Sequence, residues 1–260
     1  LEMFDTGSTV KEISRWFEIS PPAISRLLKS NNREPDCSAK RFEILRATPI
    51  SFKQKQFLVG HLLGDGCLYR DGKNSLYKVS ISHKKQHKQY FHWKLAMLDP
   101  FVNAWRENED KRGNSVMLNA TSIVHPGLTY FAEEFYTKDR RKIIPKNLDM
   151  YLTPLALAVW IMDDGNLNSG VNMRIATMGF SYEDQVRLQS YLKGIFGLKS
   201  KIMGFKYKGK EYHQISLNKE NTQKLSDIIR PYVVECMQHK IMSESSTITR
   251  QTPGKGDDII

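Results

Sequence analysis

Two apolar segments of this chain end in the same way, and they lie about a hundred residues apart. The segments "FLVGHLLGDG" (Phe57–Gly66) and "ALAVWIMDDG" (Ala156–Gly165) both resemble apolar helices that stop at an aspartate followed by a glycine. A single Asp-Gly pair after an apolar run is usually a turn. Two such pairs at equivalent places indicate an internal duplication, which constrains the fold to two related halves.

The stretches that follow the two Asp-Gly pairs also match each other. Each copy continues with strand-like alternation, an amphipathic helix, further strand-like runs and a closing helix. These runs are "LYKVSIS", "QHKQYFHWKLAML", "NSVMLNAT" and Leu128–Tyr136 in the first copy, and "VNMRIAT", "SYEDQVRLQSYLKGIF", "KSKIMGF", "YHQISLN" and Thr222–Ile229 in the second. The order predicts an α+β domain of two αββαββα units with pseudo-twofold symmetry, the first at 51–148 and the second at 149–245.

A short helical segment precedes the duplicated region. In residues 1–30, Thr9 or Ser8 can cap one helix, and Ser20 with Pro21 can begin another. Two short helices joined by a tight turn are typical of a helix-turn-helix, whose second helix would offer Ser25, Arg26 and Lys29 to DNA. An ordinary helical hairpin is the alternative. Residues 31–50 are predicted to be a linker and residues 246–260 a flexible tail.

Composition favours a polyanionic partner and a reducing compartment. Lys and Arg outnumber Asp and Glu by 39 to 28, a net charge of +11, and residues 1–50 hold eight basic and seven acidic side chains. The basic excess therefore belongs to the duplicated region, which favours nucleic acid. The three cysteines form no C-x-x-C pair, no apolar run is long enough to span a membrane, and no signal-peptide pattern begins the chain. We therefore expect an intracellular protein.

The spacing of small residues brings the two aspartates together. Gly60 and Gly64 share one helix face, where they would let a second helix approach closely. If the two apolar helices pack side by side about a twofold axis, Asp65 and Asp164 meet at their ends. Two such carboxylates repel each other, and a divalent cation relieves the repulsion. Mg²⁺ prefers carboxylate and phosphate oxygens, with Mn²⁺ and Ca²⁺ as alternative occupants, so the pattern favours metal-dependent phosphodiester chemistry.

At these residues the sequence resembles a known family. The segments "LVGHLLGDG" (Leu58–Gly66) and "LAVWIMDDG" (Leu157–Gly165) look like the two copies of the LAGLIDADG motif in single-chain homing endonucleases. The likeness covers about residues 51–245 and is closest in Lys142–Gly165 and Ile229–Lys240. The resemblance implies a monomer whose two antiparallel sheets form a saddle on double-stranded DNA and which cuts both strands of a long target site.

The same resemblance assigns site residues. It implies that Asp65 and Asp164 bind the metal ions, that Gly64 and Asp163 contribute backbone carbonyls, and that a lysine from each half lies near the scissile phosphates. Lys142 and Lys240 occupy the matching positions. The Asp163 carboxylate is an addition to the pattern that either adjusts the metal site or makes a hydrogen bond at the helix end. The motifs also depart from the family at His61, Leu63, Val159 and Trp160.

DNA recognition is expected from outward side chains of the strands, because a two-stranded ribbon fits the major groove. The candidates are Arg70, Lys73, Asn74, Lys78, Arg174, Lys201, Lys206, Lys208, Lys210 and Gln214. His83 and His87 have a spacing that could hold zinc, but they straddle a predicted strand end, so we assign no zinc site. Two alternatives to an endonuclease are a non-catalytic LAGLIDADG/helix-turn-helix transcriptional regulator and an RNA maturase.

Overall fold

A computed structural model describes residues 1–5, 8–33, 38–70, 76–109, 113 and 115–243. Four helices precede the duplicated region: α1 (Glu2–Asp5), α2 (Val10–Phe17), α3 (Pro21–Ser30) and α4 (Ser38–Ala47). The first repeat comprises α5 (Phe52–Leu63), β1 (Cys67–Arg70), β2 (Tyr77–Lys84), α6 (Lys88–Met97), β3 (Val102–Glu109), β4 (Val116–Ser122) and α7 (Pro126–Phe135). The second comprises α8 (Pro154–Asp164), β5 (Gly165–Asn168), β6 (Asn172–Ile175), α9 (Tyr182–Phe196), β7 (Lys201–Tyr207), β8 (Lys210–Ser216) and α10 (Lys219–Ile229). The predicted αββαββα duplication is therefore confirmed.

The strands form two antiparallel sheets with the same topology. In the described part of the chain, four strands of the first repeat pair in the order β1-β2-β4-β3, and four of the second in the order β5-β6-β8-β7. Each sheet thus places the strand that follows the motif helix at one edge and the third strand at the other. The matching order is what an internal duplication requires.

The motif helices α5 and α8 pack against each other at the centre of the core. Ser51 and Thr153 cap their N-termini by accepting hydrogen bonds from Gln54 N and Ala156 N. A Cβ atom at Gly60 would lie 2.2 Å from the Ala156 carbonyl oxygen, so the helices approach as closely as the glycine spacing predicted. Although α8 is buried from Leu155 to Met162, no helix in the described residues is long and apolar enough to cross a bilayer.

Each sheet has one face packed on helices and one open face. In the second sheet, Met173, Ile175 and Ile215 are fully buried against the core. Because neighbouring residues of a strand point to opposite faces, Arg174 and Gln214 belong to the open face. The first sheet has the same arrangement, and the open faces supply the surfaces suited to a polyanion.

The N-terminal helices form a small separate core. Ile13, Ile24 and Leu28 are buried together, and Thr9 caps α2 through a reciprocal pair of bonds with Glu12. The short turn between α2 and α3 agrees with the predicted helical pair. Ser20 stands at the start of α3 without a side-chain capping bond.

The segment predicted as a linker, 31–50, contains a helix. Leu45 of α4 is buried in the core of the duplicated region, and the imidazole Nε2 of His125 donates to the carbonyl oxygen of Thr48 at 3.0 Å. The second half of the segment therefore packs on the first repeat. Its apolar residues do not form a stripe on one face, because Leu45 is buried whereas the adjacent Ile44 is 43% exposed.

Candidate active site

The two motif aspartates stand at the ends of the paired helices. Asp164 is the last residue of α8, and Asp65 follows α5 after Gly64. Burial, followed by the negative charges of Asp65 and Asp163, raises the pKa of Asp164 to about 7. Burial and the charge of Asp163 also raise the pKa of Asp65. The backbone N–H of Asp65 also lies 3.4 Å from the carboxylate of Asp163, the neighbour of Asp164, so the ends of the two motifs meet in one acidic site.

A lysine from each repeat reaches the end of a motif helix. The Lys142 ammonium donates to the carbonyl oxygens of Gly64 and Gly66 at 3.1 and 2.8 Å. The Lys240 ammonium donates to the carbonyl oxygen of Gly165 at 2.7 Å. Burial lowers the pKa of both lysines. Two ammonium groups thus lie at the helix ends that carry Asp65 and Asp164.

Asp163 is held in a buried network that joins the repeats. Its carboxylate is fully buried and accepts two bonds from the Lys94 ammonium, at 2.6 and 2.8 Å, and one from the Tyr90 hydroxyl at 2.8 Å. Burial alone would raise the pKa of Asp163, but the Lys94 ammonium holds it well below its usual range. The carboxylate also accepts from the backbone N–H of Asp65 at 3.4 Å. These bonds agree with a hydrogen-bonding role at the helix end.

The buried His61 is neutral in this network. Its Nε2 lies 2.9 Å from the Ser80 carbonyl oxygen and must carry the proton, because a carbonyl can only accept. Its Nδ1 is then free to accept from Lys94 at 3.1 Å. Burial and the Lys94 charge lower the pKa of His61, in agreement with this tautomer. His61 therefore links α5 to β2 and to the lysine.

His83 lies beside the acidic site, which sequence reasoning missed. A ring nitrogen of His83 and one carboxylate oxygen each of Asp65 and Asp163 lie within 4.8 Å of one another. Burial and Lys94 lower the pKa of His83 to about 3, so the ring is neutral, and its Nε2 has no hydrogen-bond partner among the described residues. The alternation of β2 could have identified it, because Val79, Ile81 and His83 lie two residues apart and are all buried on the same face.

The donor chemistry of this site fits a hard divalent cation. Asp65 and Asp164 supply oxygen ligands whose mutual repulsion a cation would relieve. The Gly64 carbonyl already accepts from Lys142, and the Asp163 carboxylate is neutralised by Lys94. The Asp163 side chain thus serves the interface between the repeats, and the carboxylates of Asp65 and Asp164 remain the candidate cation ligands.

Several predicted DNA-binding residues of the second repeat share the open face of their sheet. Register places Arg174 opposite Ser216, and Ser216 opposite Lys201, so these side chains stand in one row. Gln214 and Lys210 follow on the same face of β8. Lys206 instead pairs with Glu211, on the face that bears the helices, which corrects its expected place. Lys208 lies in the hairpin turn with a positive φ of 48°.

The first repeat supplies fewer of the predicted residues. Lys78 belongs to the open face, whereas Arg70 pairs with Tyr77 on the helix-bearing face and its guanidinium lies 5.1 Å from the centre of that ring. The prediction that Arg70 points outward with Lys78 is therefore wrong, because Leu68 is buried and fixes the register of β1. Lys73 and Asn74 lie outside the described residues.

Sequence reasoning also missed part of the first open face. Arg106 pairs with Asn119, and Asn119 with Ser82, so three polar side chains form a row across β3, β4 and β2. The alternation of β4 could have identified Asn119, but β3 shows no such pattern. In the N-terminal module, Arg26 and Lys29 are exposed on α3, and Ser25 is half-buried.

Comparisons with known proteins agree with this architecture. The model of the LAGLIDADG DNA endonuclease family matches residues 55–225. DNA endonuclease I-ChuI of Chlamydomonas applanata is 28% identical over 210 residues, covering 74% of this chain and 95% of that protein. Cytochrome b mRNA maturase bI2 of Saccharomyces cerevisiae is 37% identical over 207 residues, which span 74% of this chain but 48% of the maturase.

The chain also spans about half the length of several RecA proteins; that of Mycobacterium shimoidei is 29% identical over 215 residues, which cover 49% of it. Among solved structures, the homing endonuclease I-WcaI bound to its DNA recognition sequence has a TM-score of 0.66 and 23% identity, and the alignment covers 80% of this chain and 95% of that one. This likeness concerns the fold. The family model covers most of the duplicated region, and both of its motifs carry their aspartates, so the chain belongs to the LAGLIDADG DNA endonuclease family.

Proposed function

We propose that this protein is a site-specific homing endonuclease that hydrolyses one phosphodiester in each strand of a long double-stranded DNA target. The observation that carries the proposal is the convergence of Asp65 and Asp164 at the ends of two packed helices, each flanked by a lysine. Each repeat contributes one carboxylate and one lysine. A pseudo-twofold pair of such groups matches the two strands of a duplex, so one chain suffices and the protein acts as a monomer.

The surroundings of the site support a DNA substrate. Open faces on both sheets bear basic and amide side chains, and the whole chain has a net charge of +11. Among relatives, I-ChuI is named a DNA endonuclease, and I-WcaI was solved on its DNA recognition sequence. Phosphate contacts would position the duplex, and side chains of the open faces would read base edges.

In the proposed hydrolysis of the phosphodiester, the aspartates and the lysines of the site have different roles. Asp65 and Asp164 would hold a divalent cation, which we propose to be Mg²⁺, with Mn²⁺ or Ca²⁺ able to occupy the same oxygen ligands. When bound, such a cation activates water and stabilises the attacking and leaving oxygens. Lys142 and Lys240 place positive charge beside the carboxylates, where it would stabilise the negative charge that develops on the phosphate.

Replacing the motif aspartates tests this assignment. Asp65→Asn and Asp164→Asn should abolish Mg²⁺-dependent cleavage of a target recovered from a randomised DNA library, while binding of that target in EDTA persists. The change removes a ligand charge but keeps the shape of the side chain. Asp227→Asn, at an exposed position of α10, is the matched control and should cleave normally. Cleavage that survives in both motif variants would refute the assignment.

A maturase activity is the second candidate. The observation that favours it is the 37% identity to the cytochrome b mRNA maturase, the highest among the relatives described above. Splicing assistance requires no cleavage chemistry, so Asp65→Asn should leave it intact. Rescue of splicing of a host intron by Asp65→Asn would establish the second activity. A purely regulatory DNA-binding role leaves both aspartates and both lysines without a use, and we do not favour it.

We further propose that residues 1–30 form a helix-turn-helix that extends the DNA contact beyond the repeats at 51–148 and 149–245. The exposed Arg26 and Lys29 of α3 support this. Arg26→Ala should weaken target binding and reduce the slope of log K against log salt by about 1. Lys11→Ala removes an exposed charge from α2 as a control. Equal salt slopes for both variants would mean that α3 does not contact phosphate.

A further inference from the structure

The open face of the second sheet carries an apolar cluster at its far end. Met203, Phe205 and Tyr207 of the edge strand β7 are 41%, 36% and 58% exposed. Phe205 stands directly opposite Tyr212 of β8, and their rings stack with centroids 5.8 Å apart. We call these four side chains the hairpin cluster. Large apolar groups gathered on an exposed surface mark a contact site more often than isolated ones do.

Register places the hairpin cluster on the proposed DNA surface. Its members occupy the same face as Lys201 and Gln214, because Met203 pairs with Gln214 and Tyr207 with Lys210. The opposite face of β8 turns toward the core, where Gln185 of α9 donates to the His213 carbonyl oxygen. The cluster is therefore continuous with the row formed by Arg174, Ser216 and Lys201. It lies on the side of the sheet that no helix of the described residues covers.

The first sheet has no equivalent among the residues that the structure describes. Its corresponding rows pair Arg106 with Asn119 and Asn108 with Met117, so only Met117 is apolar. The large exposed aromatic residue of its edge strand, Trp105, pairs with Ala120 on the helix-bearing face and contacts the rings of Phe91 and His92. The two open faces consequently differ in chemistry although their topology is the same.

Apolar side chains in a major groove have one specific base partner. The C5-methyl group of thymine is the apolar feature of the groove edge, and a two-stranded ribbon is narrow enough to enter there. We propose that the hairpin cluster reads thymine methyl groups in the outer part of the half-site that the second sheet covers. This inference rests on the proposed DNA-binding function and adds the base chemistry that one sheet recognises and the other does not.

The position of the cluster predicts where these thymines lie. Phe205 and Tyr212 are four residues along their strands from the row formed by Lys201 and Ser216. At about 3.3 Å per residue this is roughly 13 Å, or about four base-pair steps. The methyl groups that the cluster contacts should therefore lie about four base pairs outside the positions read by the row nearest the carboxylates.

Deoxyuridine substitution tests the proposal, because uracil lacks the methyl group but keeps the hydrogen-bonding edge of thymine. The probe is the duplex that the wild-type protein selects from a randomised library by binding in EDTA, with thymines replaced one at a time. We expect each contacted methyl group to contribute about fourfold to Kd, the factor for burying one such group. The double variant Phe205→Thr/Tyr212→Thr keeps β-forming residues and should bind thymine and uracil duplexes equally.

Trp105→Thr is the matched control, since it removes an aromatic residue that is 40% exposed on the other edge strand but faces the helices. This variant should keep the wild-type ratio between thymine and uracil duplexes. The inference is overturned if the double variant keeps that ratio, as it would if its affinity fell by the same factor for both duplexes. It is also overturned if the double variant abolishes a concentration-dependent dimer, because the cluster then binds a second copy. A wild-type protein that selects no sequence at all refutes the proposed function itself.

Discussion

Replacing Lys94 with methionine would remove the ammonium that holds the buried carboxylate of Asp163. The wild-type carboxylate is 0% exposed and accepts two short bonds from Lys94. After the substitution it keeps the hydroxyl of Tyr90 at 2.8 Å and the long contact with the Asp65 N–H. Breaking a buried pair from one side costs about 3–5 kcal/mol, because the remaining charge is uncompensated. We expect a loss of this size at pH 8.

The sign of the pH dependence of stability in Lys94→Met follows from the unpaired carboxyl group of Asp163. In the wild type, the Lys94 ammonium lowers the pKa of Asp163. In Lys94→Met this cation is absent, so burial raises the pKa of Asp163 above its unfolded value. The folded variant then binds a proton more tightly than the unfolded chain does. Its stability therefore rises as the pH falls from 8 towards 5, and the deficit relative to the wild type shrinks. Urea denaturation at both pH values measures the difference.

The double variant Lys94→Met/Asp163→Asn separates the charge from the shape of the pair. Tyr90 can donate to the new amide oxygen, and the amide N–H can reach His61 Nδ1, which lies 3.4 Å from the present Asp163 oxygen. Replacing both partners of a buried pair is often neutral, so stability should return to within about 1.5 kcal/mol of the wild type. A double variant as unstable as the sum of the two single variants would refute the coupling.

The same double variant decides what the Asp163 carboxylate does. If it only joins the repeats, the folded double variant should still cleave DNA. If it binds the cation, cleavage should fall as it does for Asp65→Asn while the stability is restored. The two readouts are independent, so a structural role and a ligand role give different pairs of results.

Two further predictions concern the helix pair. Asp164→Asn should stabilise the metal-free protein by about 1–3 kcal/mol at pH 8 and by little at pH 4, as measured by urea denaturation. The folded carboxyl has a pKa of about 7 against 3.8 for an ordinary aspartate, so the unfolded chain releases its proton first and the wild type loses stability as the pH rises from about 4 to about 7. An equal effect at both pH values would contradict this. Gly60→Ala should cost about 1–3 kcal/mol and reduce cleavage, since its Cβ would meet the Ala156 carbonyl. Gly194→Ala, in open space on α9, should instead be neutral or stabilising in the same assay.

The features that the sequence predicted are those set by local pattern. The apolar runs gave both motif helices, and alternation gave β2, β4 and β8 to within a few residues. The strand β3 was not predicted from the sequence. Its residues Arg106, Glu107 and Asn108 are all exposed, as an edge strand allows, so no alternation appears. The outward placement of Arg70 was wrong because one residue of register decides the face.

The features that the sequence could not predict depend on partners distant along the chain. Lys94 stands in α6 near the buried Tyr90 and Phe91, and it is itself fully buried, which is rare for a lysine. Only the fold brings it to Asp163, about seventy residues later. The inward histidines have the same origin, since His61 and His83 take their environment from that pair. Local patterns thus located the carboxylates of the two motifs and left the surrounding charge network undetermined.

The duplication is asymmetric at the place where the two motifs meet, and the packing explains why. A Cβ atom at Gly64 would lie 2.6 Å from the Cβ of Asp163, so the glycine of the first motif makes the space that the extra aspartate of the second occupies. Strict twofold symmetry would place two aspartates there or two glycines. A single chain is free to combine one of each, and Lys94 of the first repeat then neutralises the charge. Gly64→Ala should therefore disturb α8 through Asp163, and Lys94→Met should act on the same contact by leaving its charge unbalanced. The space at Gly64 and the ammonium of Lys94 are thus two parts of one interface, which two identical repeats could not form.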